Sequence, residues 1–250
     1  MAGPQTTVRE ATWALMRAHG MGTVFGNPGS TELGFFLGWP GDFPYVLGLQ
    51  ESVVVGMADG YAQATGNAAF VNLHSAVGVG HAMGAIFTAF KNRTPMVITA
   101  GQQARSILAY DPFLHSAEAT TLPKPYVKWA VEPARAEDVP RAIERAYHLA
   151  MTPPRGPVLV SVPADDWARP CEPVAPRTVT QALRPDPATL ALIGEALDRA
   201  ERPAFVIGPA VDRDGAWALA RTLAERHRAR VFGAPMSGRA GFPEDNPQFS

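Results

Sequence analysis

Apolar positions along the chain follow two alternating rhythms. Val8, Ala11, Leu15 and Ala18 repeat at helical spacing. Thr7-Val8-Arg9-Glu10 ahead of them has capping-box spacing, and Gly20 is placed to end the helix. Thr23 to Phe25 then predicts a short strand running into the tight turn Gly26-Asn27-Pro28-Gly29-Ser30. A helix over Glu32 to Leu37 follows, with Ser30 or Thr31 as its cap.

Tyr45 to Leu49 predicts a short buried strand, and Val53 to Ala64 a helix of small and branched residues. Further strands are expected at Ala68 to Leu73, Met96 to Ala100 and Val158 to Val162. Helices are expected at Val77 to Phe90 and Glu137 to Met151. The first helix of that pair carries Gly78, Gly80 and Gly84, whose cost in helix propensity points to close approach by a ligand or another helix. The stretch Ala109 to Lys124 reads as a loop long enough to suggest a functional or interfacial role.

Strands alternating with helices predict an α/β fold over residues 1–165, with a doubly wound, mostly parallel sheet. Six prolines at 163, 170, 173, 176, 185 and 187 break the rhythm, so 166–187 is expected to be a proline-rich linker. Residues 188–250 read as a second α/β domain: helix Ala188 to Ala200, strand Ala204 to Ile207, helix Gly215 to Arg228 and strand Arg230 to Phe232. Two strands do not close a sheet of ordinary size, so this domain is expected to be incomplete.

Composition narrows the function classes. Apolar residues make up 46% and charged residues 18% of 250, enough for a sizeable core. A net charge of −1 with no basic cluster argues against nucleic acid or an anionic membrane as partner. No apolar run reaches the roughly 18 residues of a membrane span and no leader pattern is evident, so the cytoplasm is the expected location. The single cysteine, Cys171, excludes an internal disulfide and any multi-cysteine metal site.

Three residues fall at expected carboxyl ends of strands: Ser30, Glu51 and His74. In a parallel sheet such positions converge on one crevice. Each also has a structural reading: Ser30 as a helix cap, Glu51 as a helix-start carboxylate, His74 as a hydrogen-bonded structural histidine. Glu51, in an apolar setting, is either an anion held by free backbone N–H groups or a partly desolvated, proton-holding group. Ser-His-Glu names a hydrolase triad, but Asn27-Pro28-Gly29-Ser30-Thr31 is not the G-x-S-x-G elbow such an enzyme needs. The turn also lacks both phosphate-binding glycine signatures. His74 and His81 have no third ligand at metal spacing, so no metal ligand is assigned, and His81 is expected to be structural.

Four blocks in order, VFGNPGSTEL (24–33), LQESVVVGMADGYAQATG (49–66), VNLHSAVGVG (71–80) and PMVITAGQQ (95–103), resemble the pyrimidine-binding domain of the thiamin diphosphate dependent decarboxylases. The likeness is nearest to the benzoylformate decarboxylases. It extends through LPKPYVKW (122–129) and GPVLVSVPADDW (156–167), and residues after 187 resemble the start of that family's middle domain.

The resemblance implies a 2-oxo acid decarboxylase that releases CO₂ and an aldehyde from benzoylformate or a similar aromatic 2-oxo acid. It implies that Glu51 hydrogen-bonds N1′ of the cofactor's aminopyrimidine and promotes the imino tautomer that removes the thiazolium C2 proton. It gives His74 a role in protonating or orienting intermediates, and Ser30 a role in binding the substrate carboxylate. It sets Asn27, Pro28 and Gly29 beside the pyrimidine, and it implies a homodimer or homotetramer with shared sites.

Two departures stand out. Many relatives carry asparagine where this chain has His81. The family binds Mg²⁺ and diphosphate through a Gly-Asp-Gly motif, which these 250 residues lack. The chain is therefore expected to be inactive alone, as the amino-terminal part of a longer enzyme. The alternatives are a subunit of a split enzyme, or a non-catalytic binding or assembly module.

Overall fold

The computed structural model describes residues 6–179 and 184–250; Met1 to Gln5 and 180–183, the latter within the expected linker, lie outside the described residues. The chain divides into two units, Met1–Gln181 and Ala182–Ser250.

The first unit is built on a six-stranded parallel sheet, ordered β2-β1-β3-β4-β6-β5. Its strands are β1 (Val24–Asn27), β2 (Tyr45–Leu47), β3 (Ala69–Leu73), β4 (Met96–Gln102), β5 (Ala130–Val131) and β6 (Pro157–Pro163). The helices are α1 (Val8–Ala18), α2 (Leu33–Phe36), α3 (Glu51–Thr65), α4 (Ser75–Lys91) and α5 (Val139–Met151). Alternate side chains of each strand feed opposite faces, as the pleat requires. Val24, Phe70, Val97, Val158 and Val160 pack with α1 and α5. Phe25, Val71, Ile98 and Leu159 pack with α3 and α4. Central strands buried on both faces read as near-continuous apolar runs, which is why β3, β4 and β6 are plain in the sequence.

The capping box at α1 forms as expected: Glu10 N–H donates to Thr7 Oγ1, and Glu10 Oε2 accepts from Thr7 N–H at 2.8 Å. Other local expectations need correction. The strand at Tyr45 is an edge, and it stops at Leu47; Leu49 is 90% exposed. Neither Ser30 nor Thr31 caps α2, whose first turn has no side-chain cap. Residues from 166 begin against the sheet unit, with Trp167 buried among Phe35 and its neighbours, and Cys171 N–H bonded to Thr6 O at 2.9 Å.

The expected long loop is anchored. Ser116 Oγ accepts from Ala76 N–H at 3.0 Å, and Gln102 at the end of β4 bonds both the N–H and the C=O of Ser116. Arg105 forks onto Asp166 with Nε to Oδ1 and Nη2 to Oδ2 both at 2.8 Å. Burial pushes the Asp166 carboxyl up, and the Arg105 guanidinium opposes that rise.

The second unit holds α6 (Pro187–Arg199), β7 (Ala204–Ile207), α7 (Ala210–Arg213), α8 (Trp217–His227) and β8 (Arg230–Gly233). β7 and β8 pair in parallel around a small core of Ile207, Ala224, Val231 and Phe242. No described residue of α6 is buried. Among the described residues no helix is long and apolar enough to cross a membrane.

Candidate active site

The sheet order reverses between β1 and β3, because the chain runs from β1 out to β2 and returns to the other side of β1. In open parallel sheets a crevice opens outside the carboxyl ends of strands at such a point. Asn27 is the last residue of β1 and lies in register with Leu73, so His74 emerges directly beside it. Glu51 enters from the same end, as the first residue of α3. The structure thus brings Asn27, Glu51 and His74 to one edge of the sheet.

Glu51 is 6% exposed. Its surroundings are less apolar than the sequence suggests: Asn27 Nδ2 donates to Oε1 at 3.3 Å, and His81 Nδ1 lies 3.2 Å from Oε2. His81 is therefore no plain structural histidine, since its side chain is 59% exposed and sits on the carboxylate. His81 lies about one turn beyond Gly78 on the α4 face that meets Glu51, a contact that helical spacing alone does not reveal. Of the three helix glycines, Gly78 explains the propensity cost. A Cβ there would stand 3.2 Å from Glu51 Cγ and 3.3 Å from Oε1, whereas Gly80 and Gly84 face open space.

His74 pairs with Glu32, which stands at the start of α2. Glu32 is almost fully buried. Its Oε2 accepts from Gly29 N–H at 2.8 Å and lies 2.8 Å from His74 Nδ1. Its Oε1 accepts from Thr31 Oγ1–H at 2.6 Å and from Ser75 N–H at 3.3 Å. Thr31 Oγ1 also lies 3.2 Å from His74 Nδ1, with its own proton already given to Glu32. Both partners of Nδ1 are thus acceptors, so the network assigns a proton to Nδ1 and leaves Nε2 as the nitrogen open to a ligand.

Gly101, in buried β4, is required by the same carboxylate: a Cβ there would fall 1.8 Å from Glu32 Oε1. Neither residue is marked by local pattern: Glu32 stands at the start of the expected helix 32–37, and Gly101 follows the end of the expected strand 96–100. Ser30 itself is exposed on the turn after β1, and among the described residues no hydrogen bond ties it to Glu51 or His74. Pro28 and Gly29 are half-buried beside it.

The chemistry of this edge is a buried carboxylate acceptor next to an oriented imidazole. Leu49, Val53 and Val77 flank Glu51 in sequence and across the helix pair, exposed by 90%, 51% and 53%. An acceptor beside apolar surface suits a flat heteroaromatic ring with an N–H to give.

Comparison with known proteins gives the family. Residues 6–121 match the family described as thiamine pyrophosphate enzyme, N-terminal TPP binding domain. The chain is 51% identical over 241 residues to benzoylformate decarboxylase of Pseudomonas aeruginosa, covering 95% of this chain and 46% of that protein. It is 34% identical over 152 residues to the acetolactate synthase large subunit of Haemophilus influenzae, covering 60% of this chain and 26% of that protein. Among solved structures, the thiamine diphosphate-dependent 4-hydroxybenzoylformate decarboxylase of Rhodococcus jostii RHA1 superposes with a TM-score of 0.94 at 49% identity, over 98% of this chain and 47% of that one. Benzoylformate decarboxylase from Polynucleobacter necessarius gives 0.93 at 45% identity, over 97% and 46%. The chain spans less than half the length of these relatives.

Proposed function

The chain belongs to the thiamine pyrophosphate enzymes and carries their N-terminal TPP-binding domain, and from that premise we propose that its first unit supplies the pyrimidine-binding half of the active site of a 2-oxo acid decarboxylase. The substrate proposed is benzoylformate or a similar aromatic 2-oxo acid, with CO₂ and an aldehyde as products. The observation that carries the reading is the Glu51 carboxylate, buried at the first residue of α3 with Gly78 giving it room and apolar surface beside it.

In this reading Glu51 would give a proton to N1′ of the aminopyrimidine and accept from N1′–H in the imino form, and Asn27 and His81 hold its two oxygens in place. When bound, thiamin diphosphate supplies the carbon nucleophile and the electron sink that loss of CO₂ requires. His74, fixed through Nδ1 by Glu32, presents Nε2 to donate or take a proton at the substrate. Ser30, exposed on the turn after β1, binds the substrate carboxylate, while Asn27, Pro28 and Gly29 line the pyrimidine side.

The finer parts of the proposal are a cytoplasmic homodimer or homotetramer and a Mg²⁺ ion that holds the diphosphate. Exposed Leu49, Val53 and Val77 next to Glu51 support closure of the site by a second copy. The Mg²⁺ ligands are proposed to come from outside these 250 residues, which by themselves are proposed to be inactive.

The test is CO₂ release from benzoylformate by the full-length protein with thiamin diphosphate and Mg²⁺, before and after Glu51→Ala. Loss of turnover is expected, on the order of 10²-fold or more. Full activity in the variant would remove Glu51 from its assigned place.

A further inference from the structure

A second constellation lies far from this crevice. His19, at the end of α1, and Glu144 and His148, one turn apart on α5, meet with all three ligand atoms within 4.8 Å of one another. His19 Nε2 stands 2.6 Å from Glu144 Oε2, and His148 Nε2 stands 3.0 Å from Glu144 Oε1. The side chains are 7%, 6% and 17% exposed for His19, Glu144 and His148.

The site is held from several sides. The His19 ring stacks on Tyr147 with centroids 4.0 Å apart, and His148 meets His19 edge-on. Arg177 N–H donates to Glu144 Oε1 at 2.7 Å, which fixes the carboxylate with Oε2 turned to His19. Tyr147 O–H and the carbonyl of His19 both bond Asn67, just ahead of β3. The constellation therefore sits at the amino ends of the strands, whereas Glu51 and His74 sit at the carboxyl ends.

We infer that His19, Glu144 and His148 form a binding site for one divalent transition-metal ion of the zinc class. Two imidazoles and a carboxylate are the donor set that borderline metals prefer over Mg²⁺ or Ca²⁺. Tetrahedral ligands at about 2.0–2.1 Å from a zinc ion stand roughly 3.3 Å apart, so the present triad opens at one pair and closes at another by less than about 1.5 Å. The exposed edge of His148 leaves the fourth position to water. For each imidazole to ligate, its Nε2 proton moves to Nδ1 or is released to solvent, and the Nε2 lone pair forms the bond. The Arg177 N–H bond to Oε1 is kept as the outer contact that orients the carboxylate. The role is structural: the ion ties the end of α1 to α5.

Zinc is titrated into the 250-residue chain in competition with a chromogenic chelator, alongside His148→Ala and Glu144→Gln, and Co²⁺ is used as a visible probe. One equivalent is expected to bind, with affinity falling at least about 100-fold in His148→Ala. The Co²⁺ adduct is expected to show the intense bands of four- or five-coordination. Absence of saturable binding, equal affinity in His148→Ala, or an octahedral Co²⁺ spectrum in the unsubstituted chain would each overturn the site. The Co²⁺ spectrum needs no variant, so a folding failure in either substitution does not shelter the inference.

Discussion

Replacing Glu32 by glutamine tests how His74 is oriented. The carboxylate receives hydrogen from Gly29 N–H, Thr31 Oγ1 and Ser75 N–H, and it faces His74 Nδ1. An amide has one accepting side. Its least costly placement puts the NH₂ where Oε1 stands, because the Thr31 hydroxyl can turn and accept, leaving only the long Ser75 N–H bond unmade. What is then lost is one backbone bond and the charge facing His74, about 2 kcal/mol by the scale of bonds to ionised groups. For a unit of this size that lowers the melting temperature by roughly 4–8 °C. The larger effect is on turnover: the amide carbonyl at the Oε2 position still accepts from Nδ1–H, but it lacks the negative charge that stabilises His74 when Nε2 takes a proton. We expect kcat for benzoylformate to fall by about 10–100-fold, the range for losing a group that orients a working histidine. The assay is CO₂ release across pH together with calorimetric melting. Wild-type turnover with an unchanged pH profile would refute the claim that the Glu32 charge supports proton transfer at His74.

Other substitutions test separate contacts. Gly101→Ala places a Cβ 1.8 Å from Glu32 Oε1 and is expected to destabilise by at least about 2 kcal/mol in urea unfolding. Gly78→Ala meets Glu51 at 3.2 Å; the helix gains up to about 1 kcal/mol of propensity, so stability changes little while cofactor affinity of the full-length protein falls. Ser30→Ala, on an exposed side chain, is expected to leave urea unfolding unchanged and raise KM for the 2-oxo acid. Arg105→Ala strips the partner from buried Asp166 and is expected to cost about 3 kcal/mol near neutral pH. Burial raises the folded pKa of Asp166 above its unfolded value, so the variant is penalised least in acid and more as pH rises through that raised pKa. Unfolding curves from acid to neutral pH check the trend.

The sequence made the scaffold legible where the cause is local. The Thr7 and Glu10 box, the apolar runs of β3, β4 and β6, and the strand ends that place Glu51 and His74 all follow from short-range pattern. What it hid depends on contacts between distant segments. Glu32 looks like any helix-start carboxylate until β3 brings His74 to it across 42 positions. His19 and Glu144 are 125 positions apart. β2 is apolar yet lies at the sheet edge, and β5 has two residues, so neither burial nor existence was readable from composition. The contact of His81 is hidden likewise, because its partner is on the neighbouring helix α3 rather than its own.

The measurement closest to the central claim is deuterium exchange at the thiazolium C2 of thiamin diphosphate bound to the full-length protein, followed by NMR after rapid quench, with and without Glu51→Gln. The account predicts exchange slowed by about 10²–10⁴-fold in the variant while the cofactor stays bound. Exchange at the wild-type rate would show that the buried carboxylate of α3 does not act on the pyrimidine, and the assignment of the site would fall with it.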